Sequence, residues 1–134
     1  MSAKDTRWQQ RFQNFESALK HLSEAVVIND ADIIQKAGLI HFFEMSFELA
    51  WKMMKDYLNA EGHLEIRSPW EAINETFEIG LINNCSDWLQ ALEDRKKTVL
   101  VYDEEIGNLV CNAITTVYFP LLQELHTTFQ LKLK

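Results

Sequence analysis

Cysteine, glycine and proline are nearly missing from this 134-residue chain, which holds two, four and two of them respectively. Cys85 and Cys111 are too few for a disulfide framework and too far apart for a thiolate zinc site, so both are expected to be ordinary thiols. The glycines are scattered singly, and no glycine-rich loop is present to cradle a phosphate. No apolar run approaches the roughly 20 residues that cross a bilayer. The N-terminus, Met1-Ser2-Ala3-Lys4-Asp5, leads into charged residues instead of an apolar signal segment, and the expectation is a soluble, cytoplasmic protein. Basic residues are also in deficit, 13 against 20 acidic ones, giving a net charge of −7 and a pI near 5.0. That balance argues against a broad surface gripping nucleic acid through its phosphates. The histidines, His21, His41, His63 and His126, lack the paired spacing of metal-binding helices, so no metal site is expected. Only His41, beside Phe42 and Phe43, has surroundings that hint at burial, and there a hydrogen-bonded core histidine is expected over a ligand.

Apolar side chains are abundant, at 47% of the chain, enough for one sizeable core and for a single domain over residues 1–134. Their spacing is helical throughout. Trp8, Phe12, Phe15, Leu19, Leu22 and Val26 alternate steps of four and three, predicting a long amphipathic helix over about residues 5–27. The stretch Asn29-Asp30-Ala31-Asp32 offers N-cap oxygens to a second helix, about 31–60, with Ile33, Ala37, Ile40, Phe43, Phe47, Ala50, Trp51, Met54 and Leu58 as its apolar positions. Ser68-Pro69-Trp70-Glu71 combines an N-cap serine, a first-turn proline and a glutamate three residues on, a strong helix start. This third helix is short, ends at Gly80 and shows Trp70, Ile73 and Phe77 as its apolar face. A fourth helix starts near Ser86, with Trp88, Leu89, Leu92 and Val99 inward, and Asp103 is the expected N-cap of a fifth. In the fifth, Ile106, Val110, Ile114, Val117, Leu121, Leu125 and Phe129 form the stripe, and Pro120 is expected to kink or break it near residues 117–119. Residues 130–134 read as a frayed tail. With no strand-like alternation and no internal repeat, the prediction is an all-α, antiparallel up-and-down bundle of four long helices and one short helix.

Two features carry chemistry. Arg95 and Tyr102 lie seven residues apart near the expected end of the fourth helix, which on a helix is two turns and about 10 Å along one face. A guanidinium and a phenol so placed can hold a phosphate or nucleotide, with Lys96 and Lys97 extending a local basic patch. Equally, they can be an exposed arginine and a half-buried tyrosine closing a helix. On the second helix, Glu44, Glu48, Lys52 and Lys55 share the face away from the apolar stripe, with Glu48 and Lys52 at the favourable acid-before-base spacing of four. That face is either solvated or an interface.

Residues 92–104 resemble the signature of the HEPN superfamily, in its branch of nucleotidyltransferase substrate-binding proteins: Arg, four residues, His, one residue, Tyr. Arg95 and Tyr102 fall on the pattern, and Leu100 stands at the histidine position. The resemblance extends to Phe47-Glu48-Leu49-Ala50-Trp51-Lys52, to Ser68-Pro69 with Glu71, to Phe77-Glu78-Ile79-Gly80-Leu81-Ile82 and to Trp88 through Glu105. It implies that Glu48 can pair with a cation such as Arg95 from a neighbouring helix.

The chain has no aspartate pair beside a Gly-Ser turn, the arrangement that holds magnesium in a nucleotidyltransferase, so it is expected to be no enzyme on its own and to bind no cofactor. The resemblance implies that a separately encoded minimal nucleotidyltransferase supplies nucleotide and magnesium chemistry, while this chain, as a homodimer within a heterotetramer, contributes the substrate-facing wall of a shared cleft. Arg95, Tyr102, Lys96, Lys97, Glu48 and Lys52 are the residues expected to face substrate, nucleotide or partner. A rival expectation is a ribonuclease toxin of the same superfamily. Leu100 weakens it, because leucine cannot move the proton of a ribose hydroxyl. In toxin–antitoxin pairs of the superfamily the nucleotidyltransferase can adenylylate the motif tyrosine, which marks Tyr102 as a possible target. A third alternative is a plain helical interaction protein without a ligand.

Overall fold

A computed structural model describes residues 3–63, 65–96 and 103–133. These form six helical segments and, among the described residues, no strand: α1 (Ala3–Val26), α2 (Ile33–Ala60), α3 (Pro69–Glu78), α4 (Cys85–Asp94), α5 (Glu104–Ala113) and α6 (Phe119–Lys132). A π-helical turn, Ile114–Tyr118, joins α5 to α6. Caps set most boundaries. The Asp32 side chain accepts from the Gln35 N–H while the Gln35 side chain accepts from the Asp32 N–H, a complete capping box at the start of α2. Ser68 caps α3 through Glu71 N–H, and Asp103 caps α5 through Ile106 N–H, each contributing about 1 kcal/mol. Gly80, at φ +84°, turns the chain out of α3 in the left-handed region that glycine occupies without penalty.

Side-chain pairs fix the directions of the helices. Trp8 meets Tyr57, Arg11 meets Asp56 and His21 meets Phe42, so α1 and α2 run antiparallel along most of their length. Trp8 also meets Phe129, and Phe12 stacks on His126, so α6 is antiparallel to α1 as well. The core lies between these three helices and is closed by α3 and α4. Phe15, Phe43, Phe47, Met53, Met54, Leu58 and Phe129 are wholly buried in it, and each such side chain stabilises by roughly 1.5–3 kcal/mol. Polar pairs sit at its margin: Arg11 Nε donates to Asp56 at 3.0 Å, and His126 Nε2 lies 2.7 Å from a Glu16 oxygen.

The all-α bundle is as the sequence predicts, with instructive local differences. The interruption expected at Pro120 takes the form of the π turn just before it and not of a break in the chain of helix. In the π turn the Phe119 N–H reaches back to Ile114 O, and this wider turn leaves room for the ring while the bond that Pro120 cannot donate goes unneeded. The turn also sends Tyr118 into the core, 3% exposed, where the sequence stripe points to Val117. Helix α6 continues to Lys132, past residue 130 where fraying is expected, and Lys132 Nζ lies 5.0 Å from the Tyr57 ring centre. On α3 only part of the expected apolar face is covered. Ile73 is buried, but Trp70 and Phe77, in the first and last turns of a ten-residue helix, remain 57% and 40% exposed. As described, α4 is short, ending at Asp94 with Arg95 as its C-cap, while Val99 lies outside the described residues.

Candidate functional site

The end of α4 presses two consecutive charged residues against two different neighbours. Successive side chains on a helix point about 100° apart. Asp94, 8% exposed, therefore faces inward, where it accepts a hydrogen bond from the Tyr118 hydroxyl and another from Gln90 Nε2 at 3.2 Å. Arg95 turns to α2 instead. Its Nη1 donates to Glu48 Oε2 at 2.5 Å, its guanidinium carbon lies 5.8 Å from the centre of the Phe47 ring, and its Nε is buried without a hydrogen-bond partner. A cation over an aromatic face beside a carboxylate is held both electrostatically and by the ring quadrupole.

Glu48 is shared. Its second oxygen is 3.5 Å from Lys52 Nζ, one helical turn on. Arg95, Glu48 and Lys52 thus form one chain of alternating charge across α4 and α2. Because the side chains of Arg95 and Glu48 are 25% and 36% exposed, water screens the pair, and its coupling should be about 1 kcal/mol. A double-mutant cycle of Arg95→Ala and Glu48→Gln, read by urea denaturation, measures it, and zero coupling would remove the contact as a contributor to stability.

This chain of charge edges a groove of about 620 Å³. Helix α2 supplies His41, Glu44, Met45, Glu48 and Leu49, and the end of α4 supplies Arg95 and Lys96. The groove is amphipathic: Met45 and Leu49 make an apolar wall, with guanidinium, ammonium and carboxylates at its edge. Burial raises the pKa of the Glu44 carboxyl from its ordinary value, opposed by the nearby His41 and Arg95. Such a groove can seat an apolar or planar body against Met45 while an anionic group takes the remaining N–H donors of Arg95 and Lys96.

His41 is a correction to the sequence expectation. It is exposed and faces the groove, because Phe43, two residues further and so about 200° round the helix, takes the buried side. Arg95, Glu48, Lys52 and Lys96 are brought to one neighbourhood, although Lys96 is also 3.6 Å from Glu93. Lys97, Tyr102 and the motif position Leu100 lie outside the described residues. Sequence reasoning placed Glu44 on the same face as Glu48, but it missed the roles of Asp94 and Tyr118 and passed over Met45 and Leu49 as groove residues. The spacing of His41, Met45 and Leu49 by fours is the signal that could have found the latter face.

The thiols take no part. Burial raises the pKa of both Cys85 and Cys111, with Glu78 adding to the first and Lys36 opposing the second, so neither is activated as a nucleophile. Among the described residues no three His, Cys, Asp or Glu side chains gather as metal ligands, and no helix is long and apolar enough to cross a membrane.

A family model described as nucleotidyltransferase substrate binding protein like matches residues 10–131, nearly the whole chain and all of the groove. The chain belongs to this family. A crystal structure of a protein from Thermus thermophilus is similar in sequence and in shape, at 28% identity and a TM-score of 0.76, over 83% of this chain and 94% of that one. No curated protein is significantly similar to this chain. Membership in the substrate-binding family directs attention to the groove, since α2 and α4 there present an arginine whose charge is anchored but not fully used.

Proposed function

We propose that this protein is a non-catalytic binding subunit. It pairs with a separately encoded minimal nucleotidyltransferase, and its Arg95 groove forms one wall of a cleft shared by the two chains. The observation that carries this reading is the coincidence of the family match with the α2–α4 groove, where Arg95 is braced by Glu48 and Phe47 beside the apolar wall of Met45 and Leu49. Bracing matters because a guanidinium held in place loses little freedom when it takes an anionic ligand. Nucleotide and magnesium arrive with the partner, which supplies the metal-binding carboxylates. The assembly we infer is a homodimer of this chain carrying two nucleotidyltransferase chains. In a toxin–antitoxin arrangement of that kind, Tyr102 is the residue offered for adenylylation, and with Leu100 at the motif histidine position the chain cuts no RNA.

The test is to purify the tagged protein from its own cells and weigh it by native and peptide mass spectrometry. A stoichiometric small nucleotidyltransferase supports the reading, and adenylate on Tyr102 adds the toxin–antitoxin branch. An unmodified chain with no such companion overturns the pairing. RNA cleavage by the purified chain, lost in Arg95→Ala, would turn the reading to a ribonuclease.

A further inference from the structure

The groove's arginine is the residue after a buried aspartate, and that aspartate is bonded to a tyrosine from the joint between α5 and α6. Tyr118 ends the π turn between α5 and α6. Its ring stacks on Phe43 with centres 5.4 Å apart and planes at 20°, and its hydroxyl donates to Asp94 on α4. Phe43 lies one turn before Phe47 on α2, and Phe47 is the ring beneath Arg95. Two routes therefore lead from Tyr118 to the guanidinium, one through the backbone at Asp94 and one through the aromatic pair of α2.

A helix as short as α4, capped by no side chain at its start, is held by its tertiary contacts, which are the buried Trp88, Ala91 and Leu92 and, in its last turn, the bond to Asp94. A π turn costs hydrogen-bond geometry and occurs often at functional places in helices. Here its effect is to bring the phenol of Tyr118 into the core. With both the phenol and the carboxylate buried, the bond between them is one whose loss is felt. The hydroxyl keeps its proton at every physiological pH, because burial and the charges of Asp94 and Asp87 all raise its pKa far above the ordinary phenol value.

We propose that Tyr118 is a positioning residue for Arg95: held by the π turn, it clamps Asp94 and so fixes the end of α4 with the guanidinium over Phe47 and against Glu48. The proposal rests on the reading of the Arg95 groove as the binding wall, and it assigns to the α5–α6 joint a part in that site although no atom of the joint lines it.

The experiment is nitrogen-15 NMR of the full chain, following the side-chain Nε–H signal of Arg95. That group is shielded from solvent and identifiable by its loss in Arg95→Lys, with Arg11 Nε, bonded to Asp56, as an internal reference. Tyr118→Phe keeps the ring on Phe43 and removes only the donor. The Arg95 signal should shift or broaden while Arg11 stays in place and helix content by circular dichroism is unchanged. An Arg95 signal that does not move in Tyr118→Phe overturns the clamp. Asp94→Asn, whose amide oxygen still accepts from the phenol, should preserve the signal, and Asp94→Ala should disturb it. These two variants decide the matter equally if Tyr118→Phe does not fold, and an Asp94→Ala spectrum with Arg95 undisturbed overturns the clamp again. The second arm adds ATP as probe to the complex with the nucleotidyltransferase. Tyr118→Phe should weaken binding by about tenfold, the scale of one buried hydrogen bond. If the unaltered complex binds no ATP, the binding-wall reading fails while the NMR result still decides the clamp.

Discussion

Phe47→Ala should lower the unfolding free energy by about 3–5 kcal/mol, the largest loss we expect from a single substitution in this protein. Phe47 is wholly buried near the middle of α2 and meets three partners at once: Phe43 with ring centres 5.9 Å apart, Trp88 of α4 at 5.9 Å, and the Arg95 guanidinium at 5.8 Å. Removing it opens a cavity where α2 and α4 join and withdraws the surface on which Arg95 rests. Urea unfolding followed by circular dichroism would show a lower midpoint at unchanged slope, the sign of lost stability in a native state that stays equally compact. Phe47→Leu separates the two roles. It refills most of the volume, so most of the stability should return, but it offers no aromatic face and the cation loses its platform. If Phe47→Ala costs less than about 1 kcal/mol, the packing described for the α2–α4 seam is wrong.

The second large effect should come from Arg11→Ala, at about 2–3 kcal/mol. Asp56 has a side chain only 7% exposed, and Arg11 Nε at 3.0 Å answers its charge from α1. Taking the arginine away strands a carboxylate in a place from which water is largely excluded. The arginine side chain is itself 37% exposed, which lets some water reach the gap and keeps the cost below that of a fully enclosed pair. The stranded charge, more than the lost attraction, makes the single substitution harmful, and a double variant shows it. Arg11→Met with Asp56→Leu removes both charges and should unfold at a higher urea concentration than Arg11→Ala alone. A double variant less stable than the single one would show that the ion pair is a net contributor in its own right.

What the sequence made legible is mostly what local rules decide. Capping residues Asp32, Ser68 and Asp103 announced three helix starts because each has an oxygen that can reach an N–H two or three positions on, a matter of adjacent chain alone. The long stripes of α1, and of α2 from Ile40 onward, were legible because each helix has one broad buried side there, whereas Ile33 and Ala37 of the predicted α2 stripe lie exposed in its first turns. Local rules failed where a neighbour decides. Trp70 and Phe77 fit an apolar face, but among the described residues both stay largely uncovered at the two ends of α3. His41 sits beside two phenylalanines in sequence, yet the helix turns it to the open side. In the site, Arg95 was found from its motif and Glu48 from its place beside Phe47, whereas Asp94 and Tyr118 form a pair 24 residues apart that no spacing rule connects. The wide turn that carries Tyr118 to Asp94 was read from Pro120 only as an interruption.

That turn also governs how the length of this chain can change. Elsewhere in a helix, gaining or losing one residue rotates everything beyond it by about 100° and would carry a buried stripe to the surface. A π turn holds about one residue more than an α turn over the same rise, so a deletion within residues 114–118 would leave Leu121, Leu125 and Phe129 facing the core as before. It would, however, return Pro120 to a tight turn that its ring does not fit. The additional residue and the proline are therefore coupled: a version of this chain that is one residue shorter here is expected to carry another amino acid in place of that proline, and an alignment gap belongs between Ala113 and Phe119.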